Sequence, residues 1–306
     1  MTDRADILPS WRPGAVREAI IEFLDQSTSV PTADRFACFD NDGTLWCERP
    51  TYVQFDFLVD ELKTRVAADA SMAEVPEFAA VLSGDMAAMG ELGLPRIGFA
   101  LTGLFEGLSP QEFTALARAF VDRASHAALG RPFRAIVYQP MLELLDELRR
   151  RDFTVALVTG GGTEFVRAIS DDLYDVPAEL VVGTLIKYEF SRDSDDRPRL
   201  RRTGTLLGDA NEGAAKVTNI QTQLGRRPIL AGGNSGGDRE MLEWACTGNT
   251  PGLAILIDHD DEEREFRYVS TAQTFAETEA ITDVGARLGW TVVSMANDWD
   301  TVFPAP

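Results

Sequence analysis

The stretch FACFDNDGTLW, Phe36–Trp46, joins a short apolar run to a polar turn. Its first four residues are typical of a buried strand, and the residues from Asp40 to Thr44 are typical of a turn. Because alternate residues of an extended strand face the same side, Asp40 and Asp42 can converge on one point. Gly43 allows the backbone to bend tightly and to approach a ligand closely. The stretch therefore predicts two carboxylates at the C-terminal end of a buried strand.

This aspartate pair has two interpretations. A carboxylate nucleophile and an acid/base partner, with a hard cation between their oxygens, would use two such groups. A simple Asp/Asn/Gly turn after a core strand is equally compatible with these residues taken alone. The remainder of the chain has to distinguish between the two.

The chain after this stretch alternates between helical and strand patterns. Residues 53–131 are rich in Ala, Leu, Glu and Met at helical spacing, and Ser109, followed directly by proline, predicts a helix start. Predicted strands at Phe153–Val158, Pro228–Ala231 and Leu253–Asp258 alternate with helices, which is typical of a parallel α/β sheet. The other predicted elements are the helices Gly14–Gln26, Met141–Arg150, Thr163–Ser170, Ala214–Leu224 and Asp238–Cys246, the strand Trp290–Ser294, and a β-hairpin of Leu180–Phe190 and Pro198–Arg202. The pattern predicts an α/β fold with an inserted helical subdomain.

Three polar features follow predicted strands of this sheet. They are the aspartate pair, the glycine turn that begins with Thr159–Gly161, and the segment Asn234–Asp238. Open α/β sheets bind their ligands at the C-terminal ends of strands. Lys216, on the helix before the third feature, adds a cation. Together these groups would form a phosphate-binding site with carboxylates for a metal ion.

The composition disfavours two classes of partner. Among 306 residues, 49 are Asp or Glu and 29 are Lys or Arg, which gives a formal net charge of −20 at pH 7. This charge disfavours nucleic acid and anionic membranes as partners. The cysteines, Cys38, Cys47 and Cys246, form no close pair in the sequence, which is typical of a reducing compartment. We find neither a signal-peptide pattern nor an apolar span of about 20 residues, and therefore expect a cytoplasmic protein.

Histidine-based catalysis is not expected. The sequence has two histidines, His126 and His259, and a Ser-His-Asp triad would need one of them. His126 falls within the predicted helical block. His259 falls within the acidic run DHDDEE, where a solvated side chain is expected.

The chain resembles the haloacid dehalogenase superfamily, and within it the phosphoserine-phosphatase-like hydrolases. The matching motifs are, in order, FDNDGT at Phe39–Thr44, VTGG at Val158–Gly161, Lys216, and GNSGGD at Gly233–Asp238. The resemblance implies a Rossmann-like parallel core formed by residues 1–50 and 138–306, with an α-helical cap inserted at residues 51–137. It also implies a Mg²⁺-dependent phosphatase that hydrolyses a small phosphorylated metabolite through an aspartyl-phosphate.

The resemblance further implies a role for each matching residue. Asp40 would attack phosphorus, and Asp42 would protonate the leaving oxygen and then activate water. The residues implied to bind phosphate are Asn41, Thr159, Gly160 and Lys216. The residues implied to hold the metal are Asp40, Asp42 through its backbone carbonyl, Asn234 and Asp238. The candidates for substrate selection are Trp46, Glu48 and Arg49.

Three positions depart from the family pattern. Asn234 stands where the fourth motif usually has an aspartate, which predicts weaker metal binding or an inward shift of Asp238. Glu48 is one position out of register with a glutamate of phosphoserine phosphatases, and Gly43 replaces a serine.

Several functions remain open at this point. The second acid, Asp42, argues against a dehalogenase of the same fold, which would not need it. There are two alternatives. One is a phosphotransferase that uses the same intermediate, and the other is a non-catalytic ligand-binding or interaction protein that retains the fold. The sequence also leaves the leaving group open.

Overall fold

The computed structural model describes residues 6–248, 250–272 and 274–305. The strands are β1 (Phe36–Phe39), β2 (Ser125–His126), β3 (Arg131–Pro132), β4 (Thr154–Gly162), β5 (Val181–Thr184), β6 (Ile186–Arg192), β7 (Pro198–Leu206), β8 (Leu230–Gly233), β9 (Leu253–Asp258) and β10 (Thr291–Ser294). The α-helices are α1 (Ala15–Gln26), α2 (Val53–Ala68), α3 (Pro76–Ser83), α4 (Met86–Leu92), α5 (Leu94–Gly103), α6 (Pro110–Arg123), α7 (Gln139–Arg150), α8 (Thr163–Tyr174), α9 (Ala214–Leu224), α10 (Arg239–Cys246), α11 (Ile281–Leu288) and α12 (Met295–Asp298). Within the described ranges, no helix combines the length and the apolar character needed to cross a bilayer.

Six of the strands form a parallel sheet in the order β5-β4-β1-β8-β9-β10. The chain builds outward from β1 in one direction through β4 and β5, and then in the other direction through β8, β9 and β10. This reversal leaves a crevice at the C-terminal ends of β1 and β8, where ligands bind in open α/β sheets. The predicted α/β class with a Rossmann-like parallel core is confirmed.

The central strand β1 is apolar throughout because both of its faces are covered. Ala37 and Phe39 belong to one core cluster, whereas Phe36 and Cys38 belong to another. Residues of α7 and α8 contribute to the first cluster, and residues of α9, α10 and α11 contribute to the second. Alternate side chains of a strand point to opposite faces, so an uninterrupted apolar run is what a central parallel strand requires.

Helices α2 to α6 occupy the chain between β1 and β4 and pack on the core through aromatic rings. Phe57 of α2 lies 5.4 Å from Phe165 of α8, with the rings stacked, and 5.7 Å from Phe113 of α6. The helix α6 begins with a capping box, in which Ser109 and Glu112 each accept a hydrogen bond from the other's backbone N–H. The boundaries of the predicted cap, residues 51–137, stay a prediction.

The antiparallel hairpin of β6 and β7 connects these helices to the core. The Arg202 N–H donates to the carbonyl of Leu108 at 2.8 Å. The buried Arg202 guanidinium pairs with Glu164 of α8 and lies 4.4 Å from the ring centre of Phe113. The hairpin therefore contacts both α6 and α8.

Several predicted elements are confirmed, including α9 and β9, but two predictions were wrong. The segment 181–184, expected in the hairpin, is β5 at the edge of the parallel sheet, because its buried apolar residues pair with β4. The glycine run expected as a turn from Thr159 is the end of β4, where Gly162 pairs with Thr184 after a register shift. In addition, His126, expected in the helical block, lies in the two-residue strand β2.

Candidate active site

A cavity of about 370 Å³ opens at the C-terminal ends of β1, β4 and β8. Asp40, Asp42, Gly160, Lys216 and Asn234 line it, so the structure brings the sequence-predicted motifs together. The helix α2 and the segment that follows β9 complete the wall.

Lys216 lies between two carboxylates. Its Nζ donates to Oδ1 of Asp40 and to Oδ1 of Asp238, each at 2.6 Å, and to the carbonyl of Val158 at 2.8 Å. Burial disfavours the ammonium charge, but Asp238 and Asp40 more than offset this effect and hold the pKa of Lys216 above its usual value. Lys216 is therefore a fixed cation in the crevice.

Asp238 is held from both sides. Its Oδ2 accepts the backbone N–H groups of Asn234 and Ser235, each at 3.0 Å, while its Oδ1 accepts from Lys216. For Asp40, burial and the negative charge of Asp238 raise the pKa, and Lys216 opposes this rise. The lysine thus favours the charged form of Asp40, which is the form that can act as a nucleophile.

Asp42 receives a hydrogen bond from an indole ring. The Nε1–H of Trp46 donates to Asp42 Oδ1 at 2.8 Å, and the N–H of Gly43 donates to the Trp46 carbonyl at 2.9 Å. Burial raises the pKa of Asp42 above its usual value, while the hydrogen bond from Trp46 opposes the rise. A raised pKa is suited to a carboxylic acid that gives a proton near neutral pH.

The turn at Gly43 requires a glycine. Its φ is +72°, and a Cβ placed there would lie 2.0 Å from Nδ2 of Asn234 and 2.9 Å from Cδ of Glu48. Both the left-handed backbone and the close approach exclude other residues. The glycine at this position therefore makes room for Asn234 and Glu48.

His259 is buried, so the expectation of a solvated side chain was wrong. The segment after β9 folds back onto the first motif, and the Nε2 of His259 lies 2.8 Å from the carbonyl of Gly43. On its other side, Nδ1 lies 3.3 Å from Oε2 of Glu265, and the ring stacks on Tyr268 at 4.4 Å. His259 thus supports the turn that carries Asp42.

The predicted phosphate-binding residues lie at the strand ends. Thr159 is buried and accepts the N–H of Gly161 through Oγ1 at 2.9 Å, while Gly160 lines the cavity. Asn41 is buried, and its backbone carbonyl accepts the N–H of Leu45 at 2.9 Å, which closes the turn of the first motif.

Of the candidates for substrate selection, Glu48 is brought to the cavity. Trp46 is fully buried behind Asp42, and the Arg49 guanidinium lies 4.4 Å from the ring centre of Tyr268. Burial raises the pKa of Glu48, and the nearby His259 and Tyr268 oppose the rise.

Other lining residues were not predicted from the sequence. Gln54 accepts the N–H of Gly162 at 2.9 Å, and Glu212 accepts the backbone N–H of Thr274 at 3.0 Å. Tyr52, Phe55 and Leu58 also line the cavity. Glu212 lies four residues before Lys216, so its position near the third motif was a usable signal; the others had none.

The donor set fits a magnesium ion. Among the described residues, no group of three or more His, Cys, Asp or Glu side chains is arranged to hold a metal by itself. Mg²⁺, however, usually takes one or two carboxylates together with waters and substrate oxygens. Asp40, the Asp42 carbonyl and Asn234 offer hard oxygens of this kind. Both Oδ atoms of Asp238 already accept hydrogen bonds, which favours a role in holding Lys216 over direct metal ligation.

Comparisons with known proteins give one family and several distant folds. A family model described as haloacid dehalogenase-like hydrolase matches residues 37–243. A protein of unknown function from Bordetella pertussis Tohama I is 18% identical, with 85% of this chain and 97% of that chain covered and a TM-score of 0.52. A functionally unknown protein from Anaerococcus prevotii DSM 20548 is 14% identical, with 90% of each chain covered and a TM-score of 0.56.

A third similar structure is a probable phosphoserine phosphatase from Vibrio cholerae, which is 16% identical, with 90% of this chain and 73% of that chain covered and a TM-score of 0.41. At these identities the first two structures show a shared fold alone. No curated protein matches the chain significantly. Because the family model spans well over half of the sequence, the chain belongs to the haloacid dehalogenase-like hydrolase family.

Proposed function

We propose that the chain is a Mg²⁺-dependent phosphatase that hydrolyses a small-molecule phosphomonoester through an aspartyl-phosphate on Asp40. The observation that carries this proposal is the pairing of Asp40 with Lys216 at 2.6 Å in a cavity that Asp42 also lines. A nucleophile, a cation and a second acid are the groups that phosphoryl transfer to a carboxylate requires.

In the first step, Asp40 is the nucleophile. Lys216 holds its Oδ1, and the other oxygen, Oδ2, attacks phosphorus while the bond from phosphorus to the ester oxygen breaks. Asp42 gives its proton to that leaving oxygen, so the alcohol departs neutral and Asp42 becomes a carboxylate. Trp46 stabilises this carboxylate through its indole N–H.

In the second step, Asp42 acts as a base. It takes a proton from water as the water oxygen bonds to phosphorus and the bond to Asp40 Oδ2 breaks. Inorganic phosphate leaves, and both aspartates return to their starting protonation states. One acid thus serves both half-reactions.

Negative charge on the phosphoryl group has to be offset in this acidic cavity. The Thr159 hydroxyl, the Gly160 N–H and the Lys216 ammonium supply positive or donor groups on the protein side. A bound Mg²⁺, held by Asp40, the Asp42 carbonyl and Asn234, would neutralise further charge on the phosphoryl oxygens. The protein's own residues then orient the phosphate and transfer the proton.

The lining favours a leaving group without a second anionic group. Tyr52 and Phe55 give an apolar surface, while Glu48 and Glu212 add carboxylates. Of the described lining residues, Lys216 alone is cationic, and it is already paired. A carboxylate or second phosphate on the substrate would meet like charges. We therefore propose a small, neutral or cationic phosphorylated metabolite as the partner, rather than nucleic acid or membrane.

The protein is also proposed to be cytoplasmic. Its cysteines, Cys38, Cys47 and Cys246, are all free thiols, which is common in a reducing compartment. The negative net charge fits a small-molecule substrate better than a polyanion.

Phosphate release from an aryl phosphate, with Mg²⁺ and with a chelator, tests the proposal. We expect metal-dependent release by the native chain and a loss on the order of 10³-fold or more in Asp40→Asn. Asp258→Asn is the matched control, since Asp258 is an aspartate at the C-terminal end of β9 in the same sheet. It should retain activity. A native chain inactive with Mg²⁺ and Mn²⁺ on a panel of small phosphomonoesters would contradict the proposal and favour a binding protein. Transfer of phosphate to an added alcohol would favour a phosphotransferase.

A further inference from the structure

Glu48 lies directly against the amide that replaces an acid in the fourth motif. The Nδ2 of Asn234 donates to Oε1 of Glu48 at 3.1 Å and is also 3.2 Å from Oγ of Ser270. Glu48 is 6% exposed and Asn234 is 2% exposed, so the contact is shielded from water. This buried pair is the starting point of an inference that rests on the metal dependence proposed above.

The two acceptors fix the orientation of the Asn234 amide. Because Nδ2 donates to Glu48 and Ser270, Oδ1 is the atom left on the other side of the amide, where the hydroxyl of Thr44 lies at 3.4 Å. Groups that hydrogen-bond a metal ligand orient it and increase its basicity. A carboxylate acting on the amide nitrogen would strengthen the amide oxygen as a ligand in this way.

The turn of the first motif provides the room for this contact. A Cβ on Gly43 would lie 2.0 Å from Asn234 Nδ2 and 2.9 Å from Glu48 Cδ. The amide and the carboxylate therefore meet across the Gly43 backbone, immediately after Asp42. All of Asp42, Glu48 and Asn234 line the same cavity.

No ion pair to Glu48 is found among the described residues, and His259, Tyr268 and Arg49 offset only part of the cost of burying its charge. Lys216 is paired with Asp40 and Asp238. Glu48 instead receives a hydrogen bond from the neutral amide of Asn234. A buried carboxylate is costly unless a cation compensates it. A divalent cation beside Asn234 would do so.

We propose that Glu48 is a positioning residue of the metal site. It holds Nδ2 of Asn234, leaves Oδ1 available to the cation, and supplies within one hydrogen bond the negative charge that an aspartate at position 234 would have carried. The pair of Glu48 and Asn234 thus replaces a single aspartate at position 234.

Calorimetric titration of the substrate-free protein with Mg²⁺ and with Mn²⁺ tests this proposal. Glu48→Gln should weaken cation binding by about 10-fold to 100-fold. Asn234→Asp should strengthen it. In the Asn234→Asp chain, Glu48→Gln should no longer weaken binding, because Glu48 then faces a second carboxylate. Glu212→Gln removes another cavity carboxylate, one that contacts Thr274, and should leave the affinity unchanged.

The outcomes separate this proposal from the proposed function. If the native and Glu48→Gln chains bind the cations with equal affinity while phosphate release still depends on metal, only the proposed role of Glu48 is overturned. A native chain that binds neither cation overturns it together with the Mg²⁺ dependence. The unfolding midpoint without metal is measured for every variant. If Glu48→Gln does not fold, Glu48→Asp provides the comparison, because it keeps the charge on a shorter side chain. Unchanged cation affinity in Glu48→Asp overturns the proposal. Weakened cation affinity that Asn234→Asp restores supports it.

Discussion

Replacing Trp46 by Phe tests whether the indole N–H controls Asp42. The change removes the donor that lies 2.8 Å from Asp42 Oδ1 and keeps an aromatic ring at a fully buried position. A hydrogen bond to a charged group contributes about 1.5–3 kcal/mol. One pKa unit corresponds to about 1.4 kcal/mol. If the bond stabilises only the carboxylate, its loss raises the pKa of Asp42 by about 1 to 2 units.

The sign of the effect follows from the role of Asp42 as an acid. It must be protonated to give a proton to the leaving oxygen, so a higher pKa preserves the active form to higher pH. The alkaline limb of kcat/KM should move upward by about 1 to 2 pH units in Trp46→Phe. The change in rate should be larger for an alkyl phosphate than for an activated aryl phosphate, because an activated leaving group needs less protonation.

The assay is the pH profile of kcat/KM on one aryl and one alkyl phosphate. Trp11→Phe is the matched control, since Trp11 is also buried and its Nε1–H donates to the carbonyl of Pro140 at 2.9 Å. It should cost stability without moving the profile. An unmoved alkaline limb in Trp46→Phe, or the same displacement in Trp11→Phe, would refute the reasoning.

Gly43→Ala should abolish phosphate release and lower the unfolding free energy by more than Gly84→Ala, because its Cβ would lie 2.0 Å from Asn234 Nδ2. Gly84 has a similar φ of +67° with nothing within 4 Å, so that variant isolates a backbone cost of about 1–2 kcal/mol, measured by urea denaturation. Equal losses in the two variants would count against the close approach. Arg202→Met should cost about 3–5 kcal/mol in the same measurement, because the Glu164 side chain, which is 13% exposed, loses its cation. Adding Glu164→Gln should recover part of that loss, and no recovery would argue that packing on Phe113 dominates.

The sequence was sufficient to predict the core of the fold. The strand β1 and the strand β9 are apolar runs bounded by turn residues, because both faces of the sheet are covered. The strand β5 was not predicted in the sheet, since its place depends on pairing with β4 rather than on its own pattern. Elements defined by local periodicity could thus be predicted from the sequence, and those defined by long-range pairing could not.

The order of the motifs was sufficient to predict which groups meet in the site, but not which contacts they form there. Asp40, Lys216 and Asp238 were expected near one another because each follows or precedes a strand end of one sheet. Nothing in the sequence indicates that Lys216 bridges the two carboxylates. Trp46 was expected to select substrate, yet the tight turn at Gly43 brings its ring back onto Asp42. Such contacts depend on side-chain directions that spacing alone does not specify.

The segment that follows β9 contributes to the site although it lies beyond the family match, which ends at residue 243. His259 contacts the Gly43 carbonyl, Ser270 contacts the amide of Asn234, and Glu265 accepts a hydrogen bond from the Cys47 thiol at 2.9 Å. Each contact reaches the backbone of the first motif, the amide of the fourth, or a residue beside Glu48. The segment can therefore change the orientation of Asn234 and the shape of the cavity while every motif residue stays the same. We expect differences in metal affinity and substrate preference between chains that share the four motifs to arise here, because these contacts adjust the site without replacing its catalytic groups.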